Sequence, residues 1–168
     1  MGVAVAVRPF RAADARAVAD LFVATVRSVN ARDYDAAQVA AWSAGGTDPA
    51  RWVRTFAGRA AFVAEVGDDV AGFADVTADG LFDHLFVSPD HQREGVGTAL
   101  AEAVEAAARA SGCAQVRAEA SITARPFFLA RGYRVVTAQD KPAHGLIYRN
   151  YWMVKDLPSG RGGDGCGA

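Results

Sequence analysis

The chain changes hydrophobic rhythm several times, and each change marks an element. Residues 3–8 read VAVAVR, with β-branched side chains at every second position, which predicts a strand. From 14 to 27 the period lengthens. Ala17, Val18, Leu21, Phe22 and Val26 recur at three-and-four spacing and predict one apolar face of a helix. Residues 35–43 form a second, shorter helical pattern stopped by Gly45-Gly46. Asp48-Pro49 then supplies a cap and a proline at the first helical position, opening a helix to residue 57.

Beyond residue 60 the pattern becomes strand-like. Residues 61–66 and 70–77 read as strands joined by Gly67-Asp68-Asp69, a hairpin signal. Ala78-Asp79-Gly80 is a second turn, and Leu81–Val87 a third strand. Residues 94–110 predict a long helix, with Leu100, Val104 and Ala107 on one face and Gly112 ending it. A strand at 114–120 follows, then a short helix at 123–131 with Pro126 in its first turn, where the missing N–H costs little. Strands at 133–137 and 146–155 close the pattern. The order is β-α-α-β-β-β-α-β-α-β-β. Tight turns make the middle three strands antiparallel, while the strand–helix–strand unit from 81 to 120 requires a right-handed parallel crossover. The expected fold is α/β (α+β), a mixed central sheet with helices on both faces.

Composition narrows the class. The sequence has 168 residues, 51% of them apolar, enough for one domain over 1–157. The glycine-rich tail 158–168 has nothing to bury and is expected to be disordered. No apolar run reaches the roughly 18 residues that span a bilayer, so no membrane partner is expected. The N-terminus lacks a basic segment followed by an apolar one, so it does not read as a signal peptide, and the expected location is the cytoplasm. A net charge of −1 argues against a broad nucleic-acid footprint. Cys113 and Cys166 form no disulfide framework, and Cys113 reads as a buried, inert thiol at a helix–strand junction. His84, His91 and His144 lack metal-ligand spacing, so no metal is expected.

Chemistry is suggested where HQREGVGTAL follows the third middle strand. A helix starting there exposes free N–H groups and roughly half a positive charge. Side chains at Gly95 and Gly97 would keep an anion from that backbone. Glycine also tolerates the positive φ that turns successive N–H groups inward. Gln92 and Arg93 add donors at the rim and Thr98 a hydroxyl. A nucleotide-like diphosphate suits such an end. The lysine of a P-loop and the third glycine of a dinucleotide fold are both missing. Taken alone, the two glycines fit either a diphosphate site or a turn with no ligand.

The surrounding residues carry more. Gln92-Arg93-Glu94-Gly95-Val96-Gly97 resembles the Q/R-x-x-G-x-G/A signature of the GNAT superfamily of acyl-CoA N-acyltransferases. Downstream, Ser121, Ala124, Phe127, Phe128, Gly132 and Tyr133 are similar in spacing to that family's N-x-x-A-x-x-F-Y-x-x-x-G-F segment. The resemblance covers residues 3–155. Trp42, Trp52, LFVSP and the ending NYWMVKDL resemble the YafP-like branch of the family.

That resemblance implies an acetyltransferase moving an acetyl group from acetyl-CoA to a primary amine of a small molecule or protein by direct attack in a ternary complex. The alternative class is an acyl-CoA-binding sensor without turnover. Residues Gln92, Arg93, Glu94, Gly95, Val96, Gly97 and Thr98 would hold the pyrophosphate. The main chain of Leu85, Phe86 and Val87 would pair with the pantetheine arm, provided that strand 81–87 splays from strand 114–120. Ser121, Ala124, Phe127 and Phe128 would complete the cofactor site. Asp83 is the first candidate for the general base. His84, expected on the opposite face, is the second and Asp75 the third. A backbone N–H near Val87 would serve the oxyanion. Two positions depart from the family pattern: Ser121, which is also a catalytic candidate beside Asp83, His84 and Tyr148, replaces an asparagine, and Phe128 replaces the tyrosine that commonly protonates the thiolate. Tyr148, Tyr151 and Tyr133 are the candidate substitutes. Tyr34, Trp42, Trp52, Phe56 and Trp152 are candidates for the acceptor pocket, with Asp33, Asp35 and Asp48 suited to a cationic amine. The last strands of such folds often meet across a dimer, which makes a homodimer an expected partner.

Overall fold

The structure, a computed structural model, describes residues 2–158. The tail expected to be disordered lies, from residue 159 on and including Cys166, outside the described residues. Seven strands form one mixed sheet: β1 (Val5–Pro9), β2 (Ala60–Val66), β3 (Asp69–Val76), β4 (Leu81–Val87), β5 (Gln115–Ser121), β6 (Arg134–Ala143) and β7 (Leu146–Asp156). Their spatial order is β1-β2-β3-β4-β5-β7-β6. Only β4 and β5 run parallel, joined by the expected crossover through helix α4 (Val96–Ala110).

Three helices separate β1 from β2, one more than the expected order counted: α1 (Ala15–Ser28), α2 (Ala36–Ala44) and α3 (Pro49–Phe56). Each short helix starts on a cap written in the sequence. Asp35 accepts from Gln38 N at 2.8 Å while Gln38 accepts from Asp35 N at 2.8 Å, a reciprocal capping box. Asp48 accepts from Ala50 N at 3.0 Å ahead of Pro49.

Strand β6 runs to Ala143, well past the expected end at 137, and pairs with β7 down to Ala143↔Leu146. The added stretch contains Pro142 and the charged residues Asp140 and Lys141. An edge strand tolerates both, because one side of its ladder faces no partner. His144 and Gly145 close the hairpin with φ of 53° and 74°, the double left-handed geometry of a tight primed turn.

Helices cover both faces. On one face α4 and α5 (Arg125–Ala130) bury Leu100, Val104 and Phe128 against Phe82, Val116 and Met153. On the other, α1–α3 bury Phe22, Val26 and Trp52 against Val63 and Phe73. Trp52 and Phe73 are fully buried. Each such ring contributes about 2–3 kcal/mol of transfer free energy. Cys113 is half-buried rather than buried, its thiol 3.4 Å from Ala78 O at the crossover's end.

Candidate active site

β4 and β5 stay paired for only two residues, Leu81↔Arg117 and Phe82↔Ala118. The cause is a β-bulge. On β3, Val76 faces Phe82 and Asp75 faces His84, which leaves Asp83 as an extra residue in β4. A bulge bends its strand, whereas β5 remains tied to β7 as far as Ser121↔Asn150. The strands therefore part, and a cavity of about 410 Å³ passes through the sheet between them.

On the α4 side the cavity is walled by Gly97, Gln92, Ala124, Phe127 and Phe128. Gly95, with φ 87°, is the N-cap of α4, and Arg93 before it has φ 66°. This pair of left-handed residues moves the helix start from the expected Glu94 to Val96 and turns the intervening amides toward one side. The first N–H to find an intrahelical partner is that of Ala99, donating to Gly95 O at 3.0 Å. A Cβ on Gly97 would sit 3.2 Å from the Phe127 ring, so the glycine keeps this mouth open.

Side chains contribute less there than expected. Gln92 is not a rim donor: its Nε2 donates to Val87 O at 2.8 Å and Ser88 O at 3.2 Å, bracing the loop. Glu94 bonds His91 at 2.8 Å, which raises the His91 pKa, Glu94 being the largest cause. Val96 is buried in the core, and Arg93, Gly95 and Thr98 are exposed beside the mouth without lining the cavity. Ser121 Oγ accepts from Ala124 N at 3.0 Å, so it shapes the turn into α5.

Along the gap the ladder decides which main-chain groups are free. Ser88 N donates to Ala71 O at 2.8 Å, and antiparallel pairs alternate from there. Phe86 therefore directs its polar backbone at β3, against the expectation for it, while Leu85 and Val87 direct theirs into the gap. Val87 O is held by Thr25 Oγ1 at 3.0 Å and by Gln92.

The bulge also overturns the expected separation of Asp83 and His84. Both reach the same cluster, with Asp83 Oδ2 and His84 Nδ1 3.7 Å apart. Buried Asp75 organises it: its Oδ1 lies 2.8 Å from His84 Nδ1 and accepts from His84 N at 3.0 Å. Its Oδ2 meets Arg59 Nη1 at 2.9 Å. Arg59 also donates to Asp83 Oδ2 at 2.6 Å, and that bond, followed by Asp75, raises the already high guanidinium pKa. An ionised carboxylate only accepts, so neutral His84 carries its proton on Nδ1 and presents an unprotonated Nε2. Asp83 and His84 line the cavity. Asp75, Asp83 and His84 could together offer ligand atoms to a cation, and Arg59 supplies the positive charge among them.

On the α1–α3 side, Tyr34, Trp42 and Tyr148 line the cavity, but Trp52, Phe56 and Trp152 do not. Trp52 and Phe56 are core residues. Tyr148 OH donates to Gln38 O at 3.0 Å, and burial, then Asp35, raises its pKa. Tyr133 turns to Glu105 at 3.3 Å in the other core layer, with its pKa raised by burial first and Glu105 next. Tyr151 carries Arg125 over its ring at 4.4 Å. Neither lines the cavity. Asp33 binds Thr123 Oγ1 at 2.8 Å, while Asp35 and Asp48 cap helices. Thr25, Asn30, Arg51, Arg59 and Asn150 escaped sequence reasoning. Each sits in an unremarkable local context and reaches the site only through long-range packing.

Known proteins share this architecture. Residues 30–155 match the family model of the acetyltransferase (GNAT) domain. The uncharacterised N-acetyltransferase YafP of Escherichia coli K12 is 27% identical over 147 residues, 88% of this chain and 93% of that protein. A GCN5-related N-acetyltransferase from Rhodopseudomonas palustris superposes with a TM-score of 0.89 at 32% identity, covering 94% of this chain and 99% of the other. YncA from Salmonella typhimurium, solved with acetyl-CoA, shares the fold with a TM-score of 0.71 at 19% identity, covering 97% and 99%. With its sheet parted beside a glycine-opened helix, and matched from its second helix to its last strand, the chain belongs to the GNAT family and is an acetyltransferase.

Proposed function

We propose that the protein transfers the acetyl group of acetyl-CoA to a primary amine by direct attack within a ternary complex. The observation that carries this is the His84–Asp75 pair, standing where β4 leaves β5 and the cavity crosses the sheet. The residues at the mouth fit the co-substrate. The amides from Gly95 to Thr98 and the open space at Gly97 suit a pyrophosphate. The free Leu85 main chain and the Val87 N–H suit an extended amide-bearing arm. Bound there, acetyl-CoA supplies an activated acyl thioester.

The chain's own groups supply the rest. His84 Nε2 takes the ammonium proton through water, and Asp75 fixes the ring and stabilises the imidazolium. The freed nitrogen lone pair forms the bond to the carbonyl carbon. The C–S bond breaks and its electron pair leaves on sulfur, while the nitrogen sheds its second proton to solvent water as the amide forms. A backbone N–H of Leu85 or Val87 faces the gap where the carbonyl oxygen gains charge. We place the base at His84 rather than Asp83 because Asp83 is tied to Arg59. None of the candidate tyrosines takes the place of Phe128: Tyr148 is bonded to Gln38 O, and Tyr133 and Tyr151 lie off the cavity. The thiolate leaves unassisted, as a thiol of pKa roughly 8–9 can near neutral pH.

Calorimetry with acetyl-CoA, followed by thiol release with a panel of amines, tests the reading. Binding with amine-dependent release supports it. Binding without release from any amine favours an acyl-CoA sensor, the class that Phe128 suggests, and no binding removes both.

A further inference from the structure

The charges lining the cavity do not balance. Asp83 is paired with Arg59, and Glu119 is paired with Lys141. Arg51 lines the same cavity on the α1–α3 side and has no carboxylate partner among the described residues. Its Nη1 donates to Gly45 O, and Gly45 allows this approach: a Cβ there would lie 3.1 Å from Nη1 and 3.6 Å from the His144 ring. The other edge of the guanidinium, Nε and Nη2, makes no hydrogen bond among the described residues and is not sealed from solvent. That edge offers two parallel donors, the fork that matches a carboxylate.

The position is as informative as the charge. The guanidinium carbon lies 5.5 Å from the Trp52 ring centre and the His84 ring 5.4 Å from it. The cation and the proposed base therefore pack against the same indole. The α4 amides that suit the pyrophosphate lie on the opposite face of the sheet, so the cofactor's phosphates do not explain Arg51. Asn30, buried on the same wall, makes no side-chain hydrogen bond among the described residues, and its Oδ1 has no partner there. The carboxylates expected to attract a cationic amine, Asp33, Asp35 and Asp48, are engaged elsewhere.

We infer that the acceptor is an amine that also carries a carboxylate, an amino acid or a close derivative, with Arg51 binding the carboxylate and His84 serving the amine. This rests on the proposed acetyl transfer to an amine. An unpaired guanidinium in a partly closed cavity attracts an anion and disfavours a simple polyamine.

Matched pairs test it: phenylalanine against phenethylamine, methionine against 3-(methylsulfanyl)propylamine, and ornithine against putrescine. Turnover is read as thiol release, and binding by calorimetry with the N-acetyl form of each probe in the presence of CoA. At least one carboxylate-bearing member should exceed its partner tenfold or more in kcat/KM or in affinity. Arg51→Gln should erase that preference through KM while leaving acetyl-CoA affinity within twofold, and Arg51→Lys should restore part of it. If no pair favours the carboxylate, or if Arg51→Gln weakens both members of a pair equally, the inference falls while acetyl transfer stands. The binding arm decides the matter even if no probe turns over, which would count against the transfer reading alone.

Discussion

The two mouths of the cavity are built from different materials. The α4 mouth is made mostly of main chain: amides at a helix start, a left-handed Gly95, an uncrowded Gly97, and a strand edge freed by the splay. The α1–α3 mouth is made of side chains carried by separate elements: Arg51 from α3, Tyr34 from the loop after α1, and Tyr148 from β7. A site of backbone reads the part of a ligand that never varies. A site of side chains can be altered one residue at a time. Generality on one face and specificity on the other follow from that difference.

The comparison breaks most visibly at His84, which stands on β4 between the two mouths with its ring against Trp52 and Phe56. His84→Gln should lower kcat by about 10²–10⁴-fold, the ordinary worth of a positioned general base. Acetyl-CoA affinity, measured by calorimetry, should be unchanged. A parallel loss of affinity would show that the two mouths are not separable. The converse variant is Gly97→Val. The added methyls meet Phe127, whose ring lies 3.2 Å from the Cβ position. Overpacking of about 1–3 kcal/mol translates to roughly 5- to 150-fold in Kd for acetyl-CoA. Rates at saturating acetyl-CoA should stay near wild type, and a fall in kcat with Kd unchanged would refute the assignment.

A smaller effect separates the two candidate bases. Asp83 is a third exposed and shares Arg59 with Asp75. Asp83→Asn therefore loses an ion pair of no more than about 1 kcal/mol, and turnover should stay within about fivefold across pH 6–9. A loss comparable to that of His84→Gln would return the base to Asp83.

The same contrast explains what the sequence disclosed. The α4 mouth was legible because its determinants are local: two glycines one residue apart, after a strand and before an apolar helix. The caps at Asp35 and Asp48 were legible for the same reason. The bulge was not. It depends on how β3 aligns with β4, and nothing in LFDHLFV marks Asp83 as the surplus residue, so His84 was expected on the wrong face. Arg59 follows a helix stop and looks like any surface arginine until β3 and β4 bring Asp75 and Asp83 to it. Tyr148 meets Gln38 across the fold, a pairing no local pattern encodes.

The smallest predicted effect concerns the α4 mouth, where a titrating pair braces a site otherwise made of amides. His91 sits 2.8 Å from Glu94 and 3.7 Å from Asp69, and Glu94 is the main reason that its pKa lies above the usual value. A pKa raised in the folded state means that the protonated form is the stabilised one. The contribution is complete below the ordinary histidine pKa of roughly 6.5 and fades as pH rises through the higher folded value. Melting temperatures of the wild type and His91→Gln should therefore differ most at pH 5.5–6 and converge toward pH 8–9, where neutral His91 keeps only a hydrogen bond to Glu94. The difference should shrink in high salt, because both partners are partly exposed. A gap that holds constant from pH 5.5 to 9 would mean that His91 supports the loop by packing alone, leaving the α4 mouth with no titrating side chain in its support.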